Sequence, residues 1–184
     1  MESGKDLISG GALYNASGAT HIGFADTVDS LNAVEKAVFI DKICTFAELQ
    51  QALKADFKGH EKLHAWLVNK APKYGTSDPI AVRNSQALVA YLHQLYQGRE
   101  NYRGGKYRPG FWSMTNHAGQ GKLSGALPNG RMASRVFASG ITMTPSIRTG
   151  GPIIAIVRSA FRVANMRFPC VSITPFDCPV VPDV

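Results

Sequence analysis

The chain has 184 residues, of which 45% are apolar, and a formal charge of +7. That length suits one domain able to bury a core of its own. No apolar run is long enough to span a bilayer, and "MESGKDLISGG" lacks the apolar stretch of a secretory signal, so a cytoplasmic chain with no membrane partner is expected.

Residues 1–97 carry nine Lys/Arg against ten Asp/Glu, whereas residues 98–184 carry eleven against three. The surplus of positive charge therefore lies in the second half. It is spread singly, as at Arg99, Arg103, Arg108, Arg131 and Arg135. Nucleic-acid binding favours clustered cations, so scattered arginines point instead to carboxylate partners and no nucleic acid is expected. Cys44, Cys170 and Cys178 are odd in number and lack CxxC or metal-ligand spacing, which reads as reduced thiols without a disulfide framework.

The first half reads as helices. "DTVDSLNAVEKAVFIDK" places Val28, Leu31, Val34 and Val38 on one face, with Asp26 or Thr27 as the N-cap. In "TFAELQQALKADFKG", Thr45 and Glu48 form a capping box, Leu49, Leu53 and Phe57 form the apolar stripe, and Gly59 ends the helix. A third helix, "HEKLHAWLVNKA", stops before Pro72. The fourth takes Ser77 or Asp78 as its cap, Pro79 in its first turn, Leu88, Tyr91, Leu92 and Leu95 as its buried face, and Gly98 as its end. Beyond it, "NYRGGKYRPGFWSMTNHAGQGKLSGALPNGR" is rich in glycine and aromatics, with a strand-like "GFWSMT". One more helix is expected at "GPIIAIVRSAFRV", followed by a proline-rich tail. A segment as long as 99–150 without clear periodicity is either functional or part of something larger.

Several motifs carry candidate chemistry. "HEKLH" (His60, Glu61, His64) matches H-E-x-x-H, in which two histidines would bind zinc and the glutamate would activate its water. Lys62 in the middle of the motif and Gly59 before it argue for a solvated helix start, and no third ligand is evident, so no metal is expected. "RGGKYRPG" lacks P-loop spacing, no G-x-G-x-x-G opens a helix, and no G-x-S-x-G elbow is present. His117, beside a turn, reads as structural or exposed. The turn Pro128-Asn129-Gly130-Arg131 calls for a positive φ at Asn129 or Gly130, with Arg131 anchored by nearby carboxylates or carbonyls.

Read in order, "GGALYNASGATHIGFADTVDSLNAVEKAVF", "APKYG", "YRGGKYRPGFWSMTNHAGQGKLSGALPNGR", "FASGIT", "GPIIAIVRSA" and "MRFP" resemble one family. The series, from about Gly10 to Pro169, is similar to the glycyl radical enzymes related to pyruvate formate-lyase. The resemblance implies an α/β fold. It makes this chain an internal, C-terminal-side fragment of a ten-stranded barrel, with a helix-rich first half and a glycine-rich strand and loop second half. On this reading residues 1–169 belong to the barrel domain, helical over 25–98, strand and loop over 99–150 and helical over 151–163, with a divergent tail at 170–184.

It also implies radical cleavage of a C–C, C–O or C–N bond in a small metabolite, under anaerobic conditions. The family's glycyl radical is installed by a separate activating enzyme using S-adenosylmethionine and a [4Fe-4S] cluster, and the full-length enzyme is expected to be a homodimer. This chain itself would bind no cofactor. "FASGIT" resembles the family segment F-A-D-G-I-S, so Phe137, Ser139, Gly140, Ile141 and Thr142 would line the substrate cavity, with Ser139 in place of the common aspartate. Asn129, Gly130 and Arg131 would form a structural turn. No cysteine here stands in the family's G-C-V context and no glycine in R-V-x-G-Y, so neither radical-carrying residue is assigned and the chain is expected to be inactive alone. The alternatives are a non-catalytic truncated remnant or subunit, and an H-E-x-x-H zinc hydrolase.

Overall fold

The structure, a computed structural model, describes residues 4–111 and 115–139. Gly140, Ile141, Thr142, the helix expected at 151–163, the tail, Cys170 and Cys178 lie outside the described residues, as do residues 112–114 of "GFWSMT". After a short 3-10 turn at Leu7–Ser9, the order is β1 (Ala16–Thr20), α1 (Phe24–Val34), α2 (Phe46–Lys54), α3 (Glu61–Asn69), α4 (Pro79–Gln97), β2 (Lys106–Gly110) and α5 (Asn116–Leu123). α1 runs on into a π-helical turn, Glu35–Ile40, closed by the Asp41 N–H on the Lys36 carbonyl at 2.8 Å.

β1 and β2 pair in parallel, Ala16 opposite Lys106 and Thr20 opposite Gly110. Helices α1 to α4 make up the crossover between them, as a parallel pair requires. α4 packs on β2 and on α1. Along β1, exposed Ala16, Gly18 and Thr20 alternate with half-buried Ser17 and Ala19. One face of the pair is therefore open, and Lys106 and Arg108 are exposed as well. The architecture is α/β.

Two apolar clusters hold the helices. Phe24, Ala25 and Val28 of α1 meet Tyr74, Val89 and Ala138, with Leu88 and Phe111 packed against them. A chain of rings extends this cluster, with centroids 5.5 Å apart for Tyr74–Phe24, 5.0 Å for Phe24–Phe111 and 5.5 Å for both Phe111–His21 and His21–Tyr96. The second cluster joins Ala33 and Ala37 to Leu49, Ala52, Phe57, Leu67 and Ala71.

Several expected caps and stripes are present. Thr45 and Glu48 form the reciprocal capping box of α2, and Asp78 caps α4 ahead of Pro79. Leu49 and Phe57 are buried, although α2 ends at Lys54 and Phe57 follows it at φ 60°.

Other expectations change. The cap of α1 is Gly23 at φ 79°, not Asp26 or Thr27. Leu31 is half-exposed, and the buried side of α1 includes Asp26, Asp29 and Asn32. On α4, Tyr91 is exposed, while Ala81, Ser85 and Val89 are buried, so its core face is rotated from the expected one. Among the described residues the strand lies at Lys106–Gly110 and includes the first residue of "GFWSMT", whose middle lies outside them. β1 and α5 carry no periodic apolar pattern, because their residues are mostly small or polar.

Candidate functional site

The polar edge of α1 organises the candidate site. Asp26, Asp29 and Asn32 recur every three residues along one side of the helix, and each is buried. A buried polar group is costly unless hydrogen-bonded, and each here holds a loop. The Tyr74 N–H donates to Asp29 Oδ1 at 2.5 Å, and the Asn32 amide donates to the Pro72 carbonyl at 3.4 Å. Asp26 receives two donors, Asn129 Nδ2 on Oδ1 at 2.9 Å and the Ala138 N–H on Oδ2 at 2.7 Å.

Lys73 lies beside this edge and is nearly fully buried. Its ammonium donates to the Leu67 carbonyl at 2.9 Å and the Asn129 carbonyl at 2.7 Å. Leu67 is in the last turn of α3, where unpaired carbonyls carry the negative end of the helix dipole and favour a cation. Burial pushes the Lys73 ammonium below its ordinary range, against the pull of Asp29 and Asp26. Burial likewise raises the Asp26 carboxyl, opposed by its bonds from Ala138 and Asn129 and by the Arg131 and Lys73 charges. Asp26 also sits in the first turn of α1, where the dipole favours a negative charge.

The loop after α5 completes the junction. The Gly130 N–H donates to the Leu127 carbonyl at 3.0 Å, and the Leu127 N–H to the Arg131 carbonyl at 2.9 Å. Gly130 has φ 91°, and a Cβ there would meet Val68 Cγ2 at 2.6 Å. Asn129 Oδ1 accepts the Arg131 N–H at 2.9 Å. The Arg131 guanidinium donates to the carbonyls of Gly121 at 3.2 Å, Gly125 at 2.5 Å and Arg135, and covers the Phe137 ring at 4.5 Å. The Phe137 N–H reaches the His117 carbonyl at 3.3 Å. Gly121 lets α5 approach this segment, since a Cβ there would lie 2.5 Å from the Arg135 carbonyl oxygen. Ser139, the last described residue, is exposed.

The three H-E-x-x-H residues do separate work. His60 is the N-cap residue of α3, and Glu61 accepts the Gly59 N–H at 2.9 Å. His64 stacks on Phe57 at 4.5 Å and points its Nε2 at the Gly130 carbonyl, 2.9 Å away. A carbonyl only accepts, so this nitrogen carries the proton and presents no lone pair to a metal. Cys44 lies in a groove with Glu48, His60, Leu63 and Trp66, and burial, then the Glu48 charge, raises its thiol above the ordinary range. It is therefore a poor nucleophile.

The structure thus links Asn129, Arg131 and Phe137 of the predicted set, with Gly130 in their turn and exposed Ser139 at the end of the described loop. The residues around which they gather, Asp26, Asp29 and Lys73, were not read from the sequence as site residues; Asp26 entered there only as a candidate helix cap. The available signal was polar: acids spaced three apart on an otherwise apolar helix, and a lysine between Pro72 and Tyr74.

The pattern of the "Pyruvate formate lyase-like" family matches residues 1–121. The chain belongs to this family. It is 33% identical over 167 residues to trans-4-hydroxy-L-proline dehydratase of Clostridioides difficile, covering 91% of this chain and 21% of the relative. Among solved structures it is similar to the glycerol-bound B12-independent glycerol dehydratase of Clostridium butyricum, with a TM-score of 0.79 and 33% identity, covering 89% of this chain and 21% of the other. A glycyl radical enzyme of Archaeoglobus fulgidus gives a TM-score of 0.77 at 32% identity, again over 89% and 21%. The described residues therefore have the α/β fold of the glycyl radical enzymes, and the chain spans about a fifth of the length of the relatives it matches. Among the described residues no helix is long and apolar enough to cross a membrane.

Proposed function

We propose that this chain forms part of a glycyl radical enzyme that cleaves a C–C, C–O or C–N bond in a small polar metabolite under anaerobic conditions, and that it has no turnover by itself. The observation that carries this reading is the extent of the match: nine-tenths of the chain aligns with about a fifth of a radical dehydratase. The open face of the β1–β2 pair supports it, because a parallel sheet is normally covered on both faces and a barrel would enclose this one.

In the assembled enzyme, residues 1–169 belong to the barrel domain, and 170–184 are a divergent tail. Phe137, Ser139, Gly140, Ile141 and Thr142 line the substrate cavity, and Asn129, Gly130 and Arg131 turn the chain toward it. Ser139 removes a negative charge that the family segment commonly carries, so the substrate preference differs from that of relatives with aspartate. The catalytic cysteine and the radical glycine come from sequence other than this chain. Activation requires a radical S-adenosylmethionine enzyme with its [4Fe-4S] cluster. The assembled enzyme is a cytoplasmic homodimer.

Electron paramagnetic resonance of the purified chain after anaerobic treatment with an activating enzyme tests the reading. No glycyl doublet is expected, and a stoichiometric doublet would overturn it.

A further inference from the structure

We infer that Asp26 is a positioning residue for the cavity-lining segment: one carboxylate on the first turn of α1 sets where the backbone at Phe137 and Ala138 leaves the core. This rests on the reading of Phe137 and Ser139 as cavity lining. An acidic residue three places into a helix ordinarily folds back on the helix's own free N–H groups. Gly23, the cap, has no side chain to cap the helix, and Asp26 turns outward to two distant donors.

The two oxygens reach the segment by separate routes. Oδ2 takes the Ala138 N–H directly at 2.7 Å. Oδ1 takes the Asn129 amide at 2.9 Å, Asn129 Oδ1 takes the Arg131 N–H at 2.9 Å, and the Arg131 guanidinium lies over the Phe137 ring. Adjacent residues 137 and 138 are thereby tied to one carboxylate, on a helix anchored by Ala25 and Val28 in the core. Lys73 steadies the second route through the Asn129 carbonyl. The charged groups acting on Asp26 are Arg131 and Lys73, with Asp29 one turn further along α1. An asparagine at 26 keeps a single, uncharged acceptor oxygen and turns an NH2 group toward the other incoming N–H, so neither the Ala138 N–H nor the Asn129 amide keeps a charged acceptor.

Hydrogen exchange at single-amide resolution in the 184-residue chain tests this. A buried donor that loses a charged acceptor loosens by about tenfold or more in local opening. Asp26→Asn is expected to speed exchange at Ala138 by about that factor while Val89 in α4 changes by less than about threefold. Asp29→Asn is expected to speed Tyr74 and leave Ala138 unchanged. In the wild type, the Ala138 amide resonance should follow the titration of the Asp26 carboxyl carbon, a signature that general loosening of the fold would not give. Should Asp26→Asn unfold the chain, Asn129→Ala reads the second route alone, with Phe137 exchange faster and Ala138 protection kept. Unchanged Ala138 exchange in Asp26→Asn, or an Ala138 resonance that ignores the carboxyl titration, would overturn the inference. Failure of the cavity reading would show separately, as an unchanged substrate profile in the assembled enzyme carrying Phe137→Ala, with the exchange results intact.

Discussion

His64 donates its Nε2 proton to the carbonyl of Gly130 at 2.9 Å, tying α3 to a turn 66 residues further along the chain. The same imidazole stacks on Phe57, so it joins the second core cluster to the candidate site. His64→Ala removes both contacts and is expected to cost about 1–3 kcal/mol, read as a lower urea midpoint. Zinc added in slight excess should leave the wild-type midpoint unchanged, whereas a zinc-dependent rise lost in His60→Ala would restore the metal reading.

Gly130 fits its place for two reasons that a methyl group would violate together. Its φ of 91° lies in the left-handed region, and the added Cβ would overlap Val68. Gly130→Ala should therefore destabilise by about 1–3 kcal/mol through strain and crowding. Gly125→Ala, at a position with nothing within 4 Å of the added carbon, serves as the matched control and should be close to neutral. Equal effects in the two would contradict the turn geometry.

Lys73 and Tyr74 are adjacent and buried, and they give opposite alkaline responses. Burial raises the Tyr74 hydroxyl above its ordinary 10.0, so its contribution is present below that pH and is lost as pH climbs toward the folded value. Burial lowers Lys73 beneath its ordinary 10.5, so its contribution is present above that pH and is lost as pH falls through the folded value. Tyr74→Phe should remove the stability loss above pH 10, and Lys73→Met should remove the rise that approaches pH 10.5 from below. Denaturant midpoints from pH 8 to 11 check both signs. An unaltered profile in either variant would contradict the assigned burial.

Lys73 also satisfies two buried carbonyls, Leu67 and Asn129. At pH 7, Lys73→Met leaves both without a donor and should cost about 2 kcal/mol or more, despite adding apolar bulk. A neutral result would mean that water or another donor replaces the ammonium.

Large apolar side chains face outward on the described surface. Phe39 is 67% exposed, Phe46 60% and Tyr91 62%, and Leu31, Val34, Phe39, Leu88 and Tyr91 line one groove of about 440 Å³. Such a surface, together with an unclosed sheet, favours association. Sizing chromatography of the isolated chain should show oligomers or aggregates, and a monodisperse monomer would count against the barrel-fragment reading.

Local signals in the sequence were reliable where the chain decides its own structure. The Thr45–Glu48 box, the Asp78-Pro79 start and the end of α4 at Gly98 depend on neighbouring residues alone, and all are present. Apolar periodicity misjudged α1 and α4. The core side of α1 is partly polar, through Asp26, Asp29 and Asn32, while its apolar Leu31 lies exposed. β1, "ASGAT", gave no strand signal because its small residues are paired by a partner 90 positions away. The series of blocks from Gly10 to Pro169 was the exception, since it revealed the family without any knowledge of the contacts. What it could not reveal was the Asp26 junction, because a buried acid and a surface acid look alike until their donors are placed.

The most direct test of the central claim is a split-enzyme assay. Hydroxyproline dehydratase from which the matched fifth has been removed would be co-expressed, with its activating enzyme, either with its own missing segment or with this chain. Anaerobic dehydratase turnover would be measured. The account predicts full turnover with the native segment, slower but measurable turnover with this chain, whose Ser139 stands where the family segment commonly has aspartate, and none from this chain without the remainder. Rescue by the native segment but not by this chain, or turnover by this chain alone, would contradict it.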